Sequence, residues 1–126
     1  MENMIADFLQ ALPDGALIIS YEGLVTASNL AAREALELDP DGLPASSVIR
    51  SLAFATALAS VRSTHRPAII DFDIYSNPPR LISAHVAKLE HGDQILVILR
   101  DLTRAQAIEK MRSDFVANAS HEMRTP

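Results

Sequence analysis

Residues 15–36, GALIISYEGLVTASNLAAREAL, decide the architecture of this chain. Two short apolar stretches, residues 16–20 and 24–27, flank Glu22-Gly23, which is typical of a turn, so we predict a β-hairpin. Asn29 follows and predicts a helix over residues 29–38, because its side-chain oxygen can accept from the unpaired N–H groups of a first helical turn. The segment therefore predicts two strands followed directly by a capped helix.

The flanking segments predict the rest of the domain. Residues 3–11 place apolar side chains at helical spacing. Residues 48–63 predict a second long helix, which Ser46-Ser47 would cap; it is apolar on most sides, so we expect it to be well covered. Strands are then predicted over three segments, residues 70–75, 81–89 and 94–99.

This order of elements predicts an α+β fold. Two strands, a helical crossing and three consecutive strands favour a five-stranded antiparallel sheet with helices on one face. After residue 100 the character changes, because DLTRAQAIEKMRSDFVANASHEMRTP has no glycine and its only proline is the last residue. We predict a single helix for this segment.

Composition excludes several functional classes. The chain has 126 residues, 48% of them apolar, which indicates one packed domain with an appendage. The net charge of -5 argues against a nucleic-acid partner, and no basic run would attract a membrane surface. The absence of cysteine excludes disulfides, Cys-based zinc sites and iron–sulfur clusters. It also fits a cytoplasmic location, and no apolar run approaches the roughly 20 residues of a membrane helix, so we expect this segment to be soluble.

We predict no cofactor and no metal in this segment. With no Trp, two Tyr and four Phe, little aromatic surface is available for a flavin or a haem. His65 suits a helix C-terminus, His85 is interpreted as a strand histidine with its hydrogen bonds satisfied, and His91 as a solvated turn residue. Asp71 and Asp73 alternate outward on a strand, which favours a solvated face over a metal site. A small apolar metabolite remains an open possibility as ligand.

The C-terminal helix carries an apolar stripe. At about 100° per residue, one broad face is shared by Ile108, Met111, Phe115, Ala119 and Met123, and His121 lies roughly opposite. A helix this long cannot bury such a stripe alone, so we expect it to pair with a second copy of the chain. His121 should then be exposed.

The order of elements resembles that of PAS domains. Asn29 followed by Ala31-Ala32 is similar to the PAS pattern after the second strand. Residues 100–103, RDLT, stand where PAS domains pass into an output helix. The resemblance implies a PAS-like sensory domain over residues 1–100, and a signalling helix that begins a truncated dimerisation and phosphoacceptor domain over residues 101–126.

A second resemblance is more specific. Residues 114–126, DFVANASHEMRTP, resemble the H-box of sensor histidine kinases, closest to the phosphate-regulon sensor type, with Met123 where Leu is commoner. The resemblance implies that His121 accepts phosphate, that Glu122 acts as base or orienter, and that Thr125 belongs to a phosphatase element. ATP and Mg²⁺ would bind in a kinase domain missing from this segment, which should be inactive alone.

The resemblance also implies partners. A sensor kinase forms homodimers, here through the C-terminal helix and the PAS domain, and passes its phosphate to the receiver domain of a response regulator. The parent protein could be anchored in the inner membrane. The alternative is a ligand-binding or purely dimerising PAS module with no role in phosphotransfer, for which replacing His121 would have no effect.

Overall fold

The computed structural model describes residues 2–123 and forms one antiparallel sheet with five helices. The sheet has five strands in the order β2-β1-β5-β4-β3. The elements in chain order are α1 (Glu2–Ala11), β1 (Gly15–Ile19), β2 (Val25–Ser28), α2 (Leu30–Leu36), α3 (Ala45–Val48), α4 (Leu52–Thr64), β3 (Ala68–Ile74), β4 (Arg80–Lys88), β5 (Ile95–Asp101) and α5 (Thr103–Met123). The predicted α+β fold and its five-stranded antiparallel sheet are confirmed.

The hairpin that opens the sheet follows the predicted turn. The Ser20 N–H donates to the Leu24 carbonyl at 2.8 Å, and the Gly23 N–H donates back to the Ser20 carbonyl at 3.0 Å. Gly23 has a φ of 91°, a conformation that side-chain-bearing residues rarely adopt. The turn therefore needs glycine at this position.

Strand alternation creates one main core. Every second residue of the strands faces α2, α3 and α4, as the alternation of buried Phe72 with exposed Asp71 and Asp73 illustrates. The largest fully buried side chains of this core are Leu17, Ile19, Val25, Phe54, Val61, Ile82, Val86, Ile95, Val97 and Leu99. The rings of Phe54 and Phe72 meet edge to face, with centroids 6.4 Å apart, which joins α4 to the edge strand β3.

The first helix lies on the opposite face of the sheet. Leu9 of α1 is buried against Ala16 and Ile18, whose side chains point away from the main core. The prediction that helices cover one face is thus right for α2, α3 and α4, whereas α1 forms a second, smaller core. The pattern of α1 is apolar on one side in either arrangement, so its sequence does not distinguish the two faces.

The long helix predicted over residues 48–63 is wrong in its boundaries. The chain forms the short helix α3, becomes extended at Ile49, and begins α4 after Ser51. Ser51, rather than Ser46-Ser47, is the cap, because its hydroxyl accepts from the Phe54 N–H at 3.2 Å. The expected all-round coverage is also wrong: Leu52 is 84% exposed, and only one face of α4 is buried.

Candidate functional site

The last helix, α5, extends from Thr103 to Met123, and its surface is open. Every residue from 104 to 118 is exposed. The stripe residues are among the largest exposed apolar side chains: Ile108 is 56% exposed, Met111 71% and Phe115 73%. Ala119 is half-buried. The chain itself thus leaves most of this stripe uncovered.

His121 and Glu122 lie in the last described turn of α5. Both side chains are exposed, as the helical pattern predicts for His121. A helix at this point places the two residues on an accessible surface, which a phosphoacceptor requires for contact with a nucleotide and with a second protein. Thr125 lies outside the described residues. The roles of His121, Glu122 and Thr125 remain predictions.

Two hydrogen bonds hold the start of α5 on β4, and a third stabilises the first turn of the helix. The Leu102 N–H donates to the Leu81 carbonyl at 2.8 Å, and the Leu81 N–H donates to the Thr103 hydroxyl oxygen at 2.9 Å. The Asp101 carboxylate accepts from the Thr103 N–H at 2.9 Å. The sequence indicated that the output helix begins here but gave no sign that Leu81 is its partner.

Asn29 occupies the junction of three elements, α1, β1 and α2. Its side-chain oxygen accepts from the N–H groups of Ala16 and Ala32, both at 2.9 Å, and its amide nitrogen donates to the carbonyls of Leu9 at 2.6 Å and Asp14 at 2.9 Å. Asn29 is only 1% exposed. The predicted N-cap is confirmed, and the same side chain also joins α1 and β1 to α2.

The other histidines are placed mainly as the sequence predicts. His65 is the C-cap of α4, with a φ of 62°, and His91 is exposed in the turn before β5. The expectation of satisfied hydrogen bonds at His85 is wrong, because its ring is exposed on the outer face of the sheet and makes none within the described chain. Ile69 and Ile98 are its cross-strand neighbours on this face of the sheet.

The described residues offer neither a metal-binding cluster nor a membrane-spanning helix. Residues 2–123 contain no group of three or more histidine, aspartate or glutamate side chains placed to hold a metal ion. None of the helices in this range combines the length and hydrophobicity of a membrane span. The absence of a cofactor stays a prediction.

Comparison with solved structures identifies the fold. The PAS domain of a protein from Colwellia psychrerythraea superposes with a TM-score of 0.65 at 12% identity, over 82% of this chain and 98% of that domain. The chain has the PAS fold. No protein family model matches the sequence of this PAS domain.

Two curated relatives match nearly the whole chain. The phosphate regulon sensor protein PhoR of Pseudomonas aeruginosa is 34% identical over 98% of this chain and 28% of its own length. Sensor protein SrrB of Staphylococcus aureus is 25% identical over 99% of this chain and 21% of its own length. This PAS domain with its helix is therefore homologous to a segment of sensor proteins and spans about a quarter of the length of these relatives.

Proposed function

We propose that the chain is the sensory domain and phosphoacceptor helix of a two-component sensor histidine kinase. The observation that carries the proposal is the position of His121: it is exposed on the helix that continues directly from the PAS fold, within the sequence ASHEMRTP. The similarity to the sensor protein PhoR extends over both parts, since it covers 98% of the chain. We place the division between the two parts after residue 100, next to the end of β5.

The proposed reaction is transfer of the γ-phosphoryl group of ATP to His121. An imidazole nitrogen of His121 forms a bond to the γ-phosphorus, the bond from that phosphorus to the β–γ bridging oxygen breaks, and ADP leaves. Glu122 accepts or orients the proton on the other ring nitrogen. ATP and Mg²⁺ bind in a kinase domain outside these residues, so the segment alone is inactive.

The phosphate then passes to an aspartate of a response-regulator receiver domain. Because His121 is exposed, the receiver domain can also approach it. In the phosphatase direction, the Thr125 hydroxyl holds the water that attacks the phosphoaspartate. The segment lies in the cytoplasm, and the parent protein is anchored in the inner membrane.

The function is tested on the parent protein with γ-labelled ATP and Mg²⁺. We expect label that is stable to alkali and lost in acid, as a phosphorus–nitrogen bond requires, and that moves to a purified receiver domain when one is added. Label that is absent, or that survives acid, would contradict the proposal and favour a PAS module that only dimerises or binds a ligand.

Dimerisation of the chain is proposed to occur through the stripe on α5, with a contribution from the PAS domain. Ile108, Met111 and Phe115 are more than half exposed, and pairing with the same stripe of a second copy would bury them. On the PAS domain, Met4 and Phe8 of α1 are 60% and 68% exposed, and we propose that they contribute to the same interface.

Phe115→Glu is expected to weaken dimerisation of the 126-residue chain by about 100-fold or more, because the change places an unpaired charge in the paired stripe. The matched control is Ala117→Glu, which adds the same charge to an exposed residue on the opposite side of α5 and should leave the dimer intact. Sedimentation equilibrium measures both. Equal association of the two variants would show that the stripe is not the interface.

A further inference from the structure

The C-terminal end of α2 is completed by a residue from a distant strand. Arg80, the first residue of β4, donates from Nη1 to the Glu34 carbonyl at 2.9 Å and to the Ala35 carbonyl at 3.4 Å. Its Nη2 lies 3.6 Å from the Glu37 carboxylate. Carbonyls in the last turn of a helix have no partner within the helix, and a cation there also interacts favourably with the helix dipole.

The end of α2 is also a strained point. Glu37 is the C-cap and has a φ of 59°, a left-handed conformation that is unfavourable for a residue other than glycine. The Leu38 N–H closes the turn by donating to the Arg33 carbonyl at 3.2 Å. Arg80 contacts both the carbonyls and the carboxylate around this turn, so the conformation of the turn depends on where Arg80 lies.

The residue after Arg80 holds the output helix. The Leu81 carbonyl accepts from the Leu102 N–H at 2.8 Å, and the Leu81 N–H donates to the Thr103 hydroxyl oxygen at 2.9 Å. Two adjacent residues of β4 therefore contact two different helices: Arg80 contacts α2, and Leu81 contacts α5. A shift of β4 at this point would change both sets of contacts together.

The opposite end of α2 is fixed to α1. Asn29 accepts from the Ala32 N–H in the first turn of α2 and donates to the Leu9 carbonyl near the end of α1. Because α2 has only seven residues, the two junctions lie at opposite ends of one short helix. Hydrogen bonds thus connect α1, α2, β4 and α5 in that order.

We propose that Arg80 couples α2 to α5, so that a displacement of α1 or α2 changes the position of the output helix. The inference deepens the proposed function, because it rests on α5 being the helix that carries the signal. Arg80 is a positioning residue: it acts on α5 through Leu81. Coupling of this kind is reciprocal, so a change at the start of α5 must also change the stability of the turn at the end of α2.

Amide hydrogen exchange on the 126-residue chain tests the coupling in both directions. Arg80→Ala is expected to speed exchange of the Leu102 N–H about tenfold relative to the Val97 N–H, which reports global opening. Thr103→Val, which removes the acceptor for Leu81, is expected to speed exchange of the Leu38 N–H. Arg80→Lys, which keeps the charge but loses the planar fork, should give an intermediate change.

Arg66→Ala is the matched control, because Arg66 is an exposed arginine whose side chain makes no ion pair or hydrogen bond within the described residues. It should leave both amides unchanged. Faster exchange at Leu38 alone in Arg80→Ala would overturn the proposal and reduce Arg80 to a cap of α2. The experiment uses no nucleotide, so its outcome is independent of whether His121 accepts phosphate.

Discussion

Replacing Asn29 with alanine is expected to lower the free energy of unfolding by about 3–4 kcal/mol. The side chain makes four hydrogen bonds to backbone groups and is 1% exposed, so its removal leaves N–H and carbonyl groups unpaired in the interior. The loss of the α2 N-cap accounts for about 1 kcal/mol of the total. A domain of this size is stabilised by about 5–15 kcal/mol, so the variant should remain folded but be much weakened.

Urea denaturation followed by circular dichroism measures the effect of Asn29→Ala. Asn118→Ala is the control, because Asn118 is exposed on α5 and its replacement should change stability by less than about 0.5 kcal/mol. Asn29→Asp should be at least as harmful as Asn29→Ala, because it places a buried negative charge against the carbonyl oxygens of Leu9 and Asp14. A loss below about 1 kcal/mol for Asn29→Ala would contradict the role assigned to this side chain.

Replacing His121 with glutamine is expected to abolish phosphate incorporation by the parent protein. Glutamine preserves polarity and helix propensity, but its amide nitrogen has no lone pair available for attack on phosphorus. Because His121 is exposed at the end of α5, the change should leave the fold intact. The measurement is label retained after incubation with γ-labelled ATP, together with the circular dichroism spectrum.

His91→Gln is the matched control for His121→Gln. His91 is also exposed, but it lies in the turn between β4 and β5, away from α5 in sequence. This variant should incorporate phosphate at the wild-type rate. Equal labelling of both variants would mean that the H-box motif does not accept phosphate here, and that the chain works as a binding or dimerisation module.

The sequence was most informative where local chemistry and burial pattern agree. The turn at Glu22-Gly23 and the cap at Asn29 each depend on residues a few positions apart, so the hairpin and α2 were predictable. In β3, the alternation of Phe72 with Asp71 and Asp73 gives the strand period directly. The order of these elements, with a helical crossing between β2 and β3, then leaves few topologies.

The errors in the helical crossing arise from competing local signals. Residues 48–63 are apolar enough that the periodicity does not reveal the break at Ile49, and three serines offer alternative caps. Ser51 is the residue used, and the exposed Leu52 that follows it is a position that hydrophobicity alone would bury. Similarly, an amphipathic pattern identifies α1 without showing that it packs on the outer face.

The contacts at the candidate site depend on the tertiary structure. The exposure of His121 follows from helical spacing, and the structure agrees. The same spacing identifies the stripe, whose Ile108, Met111 and Phe115 are exposed in the structure. By contrast, Leu81 and Thr103 are 22 positions apart, and the bond between them uses a backbone N–H that every residue except proline has. The contacts of Arg80 with α2 join positions 46 and 45 apart. No local pattern marks such pairs, so only the folded structure identifies them.

The central claim is most directly tested by locating the phosphate on the protein. After incubation with Mg²⁺ and ATP, the parent protein is digested with trypsin at alkaline pH, and the peptide of residues 113–124 is sequenced by mass spectrometry. The peptide contains a single histidine, His121, and two serines, Ser113 and Ser120. We predict one phosphate on His121. A phosphate on either serine, or an unmodified peptide from a labelled protein, would contradict the assignment of this helix as the phosphoacceptor.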